Sequence, residues 1–396
     1  MKKIIPILLL CLILFSCSSS INNKSNENID IINLTDLKNV FHWDSLPFDS
    51  VKVIKLETST DDSYIDFGRV LFGKHCIYVT ERKQSGTVAI FDINGKFLKK
   101  LNKGNGPGEI SYAYAVDFDN ETNQLVVLQD NKIIKYDEYG NFIEDKQIIS
   151  PSIDFTCIPD GYLFYSLGTL FNSESPLYQK AIIRTDKDCY IISTDIYDDN
   201  NRLKFSADYR LFQKINDGEV LISIPYNDTI FIYKNNTITP YAFLDYTPTK
   251  LDISNHNTLQ SFEELVSSST KNYYNGGYLE TNNFKYVFLQ KCGSSDSEGY
   301  FIDKNSNEIY DDYIFVPMDE FPTLGIPLTV YQNYFVYLIN PVDDLVVSEF
   351  LSKRGIPYSS KITKTKYLTQ EQIDILNNVE DEDNPILFLV KFKNSI

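Results

Sequence analysis

The chain has 396 residues, and its 54 Asp and Glu against 37 Lys and Arg give a formal net charge of −17. That field repels polyanions and argues against nucleic acid as a partner, while a hydrophobic content of 43%, with 28 Tyr and 26 Phe, excludes a disordered acidic chain. The aromatic content suffices for a sizeable β-rich core.

In chain order, Lys2 and Lys3 precede the apolar run Ile4 to Phe15. That run is well short of the ~20 residues a bilayer span requires, so residues 1–16 are read as an export signal. The following Leu14-Phe15-Ser16-Cys17 resembles the lipobox of bacterial lipoproteins, which implies cleavage before Cys17 and acylation of its thiol. The resemblance implies a cell-envelope protein, lipid-anchored to the outer membrane and facing either the periplasm or the surface. Residues 17–45 then read as a polar tether and N-terminal segment, and 46–396 as the folded domain. No carboxylate precedes Glu27, so the acidic run that marks some surface-exported lipoproteins of the Bacteroidetes type is missing.

Beyond Cys17 the cysteines are Cys76, Cys157, Cys189 and Cys292, with no close pair. Such spacing excludes a zinc ribbon or a thioredoxin-like motif and is compatible with either disulfides or buried thiols.

The strongest pattern is a repeat. Phe91, Asp92, Gly95 and Phe97 recur 45 residues later as Tyr136, Asp137, Gly140 and Phe142. Each copy is an apolar strand, an Asp-x-x-Gly turn and a second strand, which is the chemistry of a hairpin. Weaker copies lie at Ile183–Ile191, where Cys189 replaces the glycine, at Ile230–Ile238, and at Tyr300–Ile309. Other strands are predicted ahead of these hairpins, at Ile77–Val79, Leu125–Leu128, Tyr162–Tyr165, Val220–Ile224 and Tyr286–Leu289. A period of ~40–50 residues with about four short strands is the signature of a β-propeller blade. Five blades are thereby assigned. The sixth is predicted to join Phe335–Leu338 and Ile386–Phe392 to Val51–Leu56, closing the ring with both chain ends. The fold class is an all-β, six-bladed β-propeller with short helical insertions and N-/C-terminal strand closure.

The Phe-Asp-x-x-Gly-Lys-Phe hairpin, the run Gly104-Asn105-Gly106-Pro107-Gly108-Glu109 and the closing Asn384-Pro385-Ile386-Leu387 together resemble the six-bladed propeller lipoproteins abundant in Bacteroidetes, relatives of NHL-type propellers. That resemblance implies an architecture rather than an activity. Capping-box patterns at Ser261–Glu264 and Thr369–Gln372 predict two short helices.

Candidate chemistry is sparse. His42, His75 and His256 share no metal-ligand spacing. Asp117 to Asn123 alternates oxygen ligands but lacks the glycine and glutamate of a calcium loop, and reads as a hairpin turn. Lys103, Asn105 and Glu109 flank the glycine-rich loop and are candidates for touching a ligand at a channel mouth. Tyr273, Tyr274 and Tyr278, around Asn275-Gly276-Gly277, are read as rings about a turn that offer a glycan or protein partner a stacking surface. No cofactor, metal or catalytic residue is assigned. The expected function is a lipid-anchored extracytoplasmic binding or protein-interaction module without catalysis. The competing expectation is a metal-assisted hydrolase or lyase at the propeller channel mouth.

Overall fold

The first three repeats each fold around an aspartate. Asp92 Oδ1 accepts from the backbone N–H groups of Asn94 and Lys96, both at 2.9 Å, and Asp137 Oδ1 accepts from those of Tyr139 and Asn141 at 2.9 and 2.8 Å. Asp186 does the same for Asp188 and Tyr190. The turn then needs a left-handed residue, supplied by Gly95 (φ 92°), Gly140 (φ 78°) and, in the third copy, Cys189 (φ 65°). In the fourth copy Asn235 and Asn236 turn the chain with φ 51° and 64°.

The computed structural model describes residues 29–35, 37, 40–41, 45–60, 62–81, 86–148, 151–166, 173–197, 210–216, 218–253, 259–293, 297–312, 324–339, 362, 365–380 and 382–393. The leader, Cys17, His42 and His256 lie outside them. Within them, two N-terminal strands, β1 (Asp30–Asn33) and β2 (Phe48–Lys55), precede the blades. Blade one is β3 (Phe67–Phe72), β4 (Cys76–Glu81), β5 (Val88–Asp92) and β6 (Phe97–Lys100). Blade two is β7 (Ala115–Asp119), β8 (Gln124–Gln129), β9 (Lys132–Asp137) and β10 (Phe142–Gln147). Blade three is β11 (Ser152–Ile158), β12 (Gly161–Ser166), β13 (Lys180–Asp186) and β14 (Ile191–Tyr197). Blade four is β15 (Phe212–Asn216), β16 (Glu219–Ser223), β17 (Thr229–Lys234) and β18 (Thr237–Asp245). Blade five, after helix α1 (Leu259–Ser268), is β19 (Asn272–Glu280), β20 (Phe284–Lys291), β21 (Ser297–Asp303) and β22 (Ile309–Asp311). Blade six contains β23 (Thr329–Tyr331), β24 (Tyr334–Ile339) and, after helix α2 (Gln370–Asn377), β25 (Ile386–Phe392).

Closure follows the sequence expectation. β25 pairs antiparallel with β24 on one side and with β2 on the other, with Val51 opposite Val390 and Val53 opposite Phe388, so the two chain ends share a sheet. The innermost strand of this blade, β23, carries no alternation long enough to be seen in the sequence. β1, within the segment assigned to tether and N-terminal region, pairs in parallel with β18 and adds a fifth strand to blade four. Lys285 of blade five forms an ion pair with Asp30 of β1.

Six apolar clusters fill the six blade interfaces. Leu71, Tyr78 and Ile90 of blade one meet Val116, Phe118 and Leu125 of blade two, and Phe284, Tyr286 and Phe301 of blade five meet Phe335, Tyr337 and Phe388 of blade six. A fully buried Leu or Phe side chain contributes about 1.5–3 kcal/mol. The core is thus a ring of between-blade layers, a geometry in which each sheet needs both neighbours.

Helix α2 begins at its predicted cap: Thr369 accepts from Gln372 N, and Gln372 reaches back to Thr369 N. For α1 the expectation is corrected. The helix starts at Leu259, so Ser261 lies inside its first turn and is not the cap.

The first strand of each sheet is innermost. β3 touches β7, β7 touches β11, β15 touches β19, β19 touches β23, and β23 returns to β3. These strands all run from one face of the ring to the other, and the two faces differ. Turns at the exit face are short, such as Gly73–His75, Asn120–Asn123 and Gln332–Asn333. The connections that hold α1 and α2 both leave from and return to the entry face.

Candidate functional site

At the exit face the inner strands leave a cavity of about 560 Å3 at the mouth of the central channel. Its walls come from the ends of β3 and β7 with the turns after them, from Arg210 and the first three residues of β15, and from β23 with Gln332 beyond it. One wall is aromatic: Phe72 and Tyr331 stack with ring centroids 4.1 Å apart and planes 12° apart. Another is charged, with Asp117 from β7, Lys214 from β15 and Arg210 just before it, and Lys74 at the rim.

Asp117 organises that charged wall. It is 1% exposed, and an isolated carboxylate there would be far too costly to ionise. It is compensated by Arg210, which donates to Oδ1, by Lys214 at 2.6 Å, and by Thr156 Oγ1 and Cys157 N, which donate to Oδ2 at 2.9 and 2.7 Å. Burial alone would raise its pKa, but Lys214 and then Arg210 outweigh it, leaving the carboxyl at about 2. Lys214 Nζ also donates to the Phe118 carbonyl at 2.7 Å. Further along the channel, Asp154 accepts from Phe155 N (2.9 Å) and Leu211 N (3.0 Å), with Arg69 at 3.5 Å. Both carboxylates are therefore covered, while the cations facing them stay partly open.

The sequence-assigned site residues lie elsewhere. Asn275-Gly276-Gly277 is a bulge inside β19, where pairing jumps from Tyr274 opposite Leu289 to Gly277 opposite Phe288; it is not a turn. A side chain at Gly277 would come within 2.8 Å of Phe288 Cβ, which is why the bulge closes on glycine. Tyr274 and Tyr278 are consequently core residues, 0% and 2% exposed. Tyr274 Oη hydrogen-bonds Ser223 Oγ at 2.9 Å and Tyr278 Oη donates to Glu280 at 2.7 Å, so their rings form no stacking surface. Tyr273 alone is half-buried. It stacks on Tyr226 at 5.5 Å beside a groove of about 400 Å3 on the entry face.

Lys103, Asn105 and Glu109 lie on the connection from β6 into β7, at the entry face, and none lines the channel cavity. Glu109 folds back on its own loop, accepting from Gly106 N at 2.8 Å. His75 sits with Nδ1 3.0 Å from Glu138. Among the described residues no group of three His, Cys, Asp or Glu side chains is placed to share a metal ion. The four described cysteines are buried free thiols, and burial, with Glu138 adding to it, pushes the Cys76 thiol up to about 12. Such thiols are poor nucleophiles.

A family model described as "Domain of unknown function (DUF4934)" matches residues 26–391. The chain belongs to that family. Among solved structures it is similar to a Bacteroides fragilis protein described as exported, at 19% identity and a TM-score of 0.70, covering 92% of this chain and 100% of that one. It is also similar to a DUF4221-family member from Bacteroides vulgatus, at 11% identity and a TM-score of 0.53, covering 89% and 99%. Both likenesses concern the propeller fold. No curated protein matches the sequence. In this DUF4934 chain, sequence reasoning missed Arg210, Lys214, Phe72 and Tyr331. The one available signal was a charge inside an apolar inner strand, Ala115-Val116-Asp117-Phe118, since such a charge must be paired.

Proposed function

We propose that the chain is a binding module of the cell envelope, held to the outer membrane by a lipid on Cys17, that takes its ligand into the exit-face channel cavity. The observation that carries this reading is the cavity itself: about 560 Å3, on the propeller axis, with an aromatic wall and a charged wall built from four rigid inner strands. A concave, largely preformed site with a few convergent polar groups is what a small-molecule binder needs. The leader pattern at residues 1–16, the lipobox-like Ser16-Cys17 and the B. fragilis relative described as exported support the location. No helix among the described residues is long and apolar enough to cross a membrane. Kinship with the NHL-like propeller lipoproteins is part of the same reading and rests on the hairpin repeats.

Two measurements test it. Cys17→Ser should move the protein from the membrane to the soluble fraction, because ~0.8 kcal/mol per buried CH2 is lost; continued membrane association defeats the anchor. A thermal-shift screen of neutral, cationic and anionic small molecules should give stabilising compounds for the wild type that fail on Asn120→Trp, which fills the cavity from an exposed turn. Compounds that stabilise both proteins equally would place binding outside the channel.

A further inference from the structure

The chain is strongly acidic, yet the charges its channel cavity offers to a ligand are positive. The lining contains Lys74, Arg210 and Lys214 against a single carboxylate, Asp117. Exposure sharpens the contrast. The Asp117 side chain is 1% exposed, whereas those of Arg210 and Lys214 are 18% and 25% exposed. Asp119, two residues on, is tied into its own turn, accepting from Glu121 N at 2.9 Å and from Thr122 Oγ1 at 2.8 Å. An entering molecule therefore meets guanidinium and ammonium groups before it meets a carboxylate.

Donor capacity points the same way. Among the described residues Arg210 donates only through Nη2, to Asp117. A guanidinium has five N–H donors, so the remainder of its fork is available. Lys214 Nζ spends two of its three donors, on Asp117 and the Phe118 carbonyl. A planar fork and a third ammonium proton suit a carboxylate, sulfate or phosphate oxygen pair. The Phe72–Tyr331 stack lines the same cavity and offers apolar ring carbon to whatever carries the anion.

We propose that the channel cavity is a receptor for an organic anion carried on a ring-shaped body, such as a uronic acid or an aromatic acid. The acid group lies against Arg210 and Lys214, and the ring lies on the Phe72–Tyr331 wall. This rests on the channel-binding reading above and names the ligand class for it. Lys74, exposed at the rim, adds long-range attraction and no direct contact.

The test is calorimetric titration of the full chain with D-glucuronate and benzoate, beside their neutral counterparts D-glucose and benzyl alcohol, and inorganic phosphate. One or both acids should bind, about tenfold or more tightly than the neutral partner, with affinity falling as salt rises. Lys214→Gln should weaken the acid about tenfold. Because Lys214 also neutralises Asp117, Lys74→Gln is the second variant: it should leave folding unchanged and flatten the salt dependence. Equal binding of acid and neutral partner, lost in Asn120→Trp, would overturn the anion assignment while keeping the channel site. Acid binding that survives Asn120→Trp would overturn both. Binding of phosphate as tight as that of the acids would remove the ring-shaped body, and no binding by any probe would refute the assignment.

Discussion

Replacing Asp117 by Asn removes one charge from the centre of the propeller and leaves Arg210 and Lys214 facing each other across a buried amide. Breaking one partner of a buried ion pair typically costs 3–5 kcal/mol. A second route gives a smaller figure: the fall of the Asp117 carboxyl from 3.8 to about 2 corresponds to about 2 kcal/mol favouring its ionised form in the folded state. The expected loss for Asp117→Asn is therefore about 3–4 kcal/mol, or about 5 °C in melting temperature for a chain of this length. The sign of the pH dependence is set by the depressed value. The stabilisation is complete above the unfolded value near 3.8 and disappears as pH falls through about 2. Thermal melts of wild type and variant at a series of pH values should show a gap that is constant from pH 7 to about pH 5 and closes towards pH 2. Adding Lys214→Met to Asp117→Asn should restore part of the loss, since one uncompensated cation is gone. A variant melting within about 1 °C of wild type at pH 7, or a gap that does not close in acid, would refute the claim that this carboxylate neutralises the channel cations.

Gly95→Ala should cost about 2 kcal/mol or more by denaturant titration, because φ is 92° and the new methyl would sit 2.2 Å from the Lys55 carbonyl oxygen. Cys189→Gly at the equivalent turn should cost less, the loss of a buried thiol being offset by relief at φ 65°. Tyr274→Ala should destabilise by about 3–5 kcal/mol, as for other buried aromatics, whereas Tyr273→Ala, on a half-buried ring at the groove, should cost far less; equal losses would contradict the bulge geometry. Deleting residues 384–396 removes the third strand of blade six and unpairs both β2 and β24, so the truncated chain should fail to melt cooperatively.

How much of this was legible in the sequence follows from what is local. A hairpin is decided by residues a few positions apart, so Asp92, Gly95, Asp137 and Gly140 announced their turns, their period announced blades, and the Ile386–Phe392 run announced a strand wanting a partner. Thr369 and Gln372 likewise carry their cap within one helical turn. The Asn275-Gly276-Gly277 segment shows the limit. The same residues serve a turn or a bulge, and only the facing strand, with Phe288 against Gly277, selects the bulge and buries Tyr274 and Tyr278. The channel site lay further out of reach. Asp117 and Arg210 are 93 residues apart, and Phe72 and Tyr331 come from opposite ends of the chain. They meet because ring closure brings four inner strands to one axis, and that long-range geometry leaves no periodic trace in the sequence.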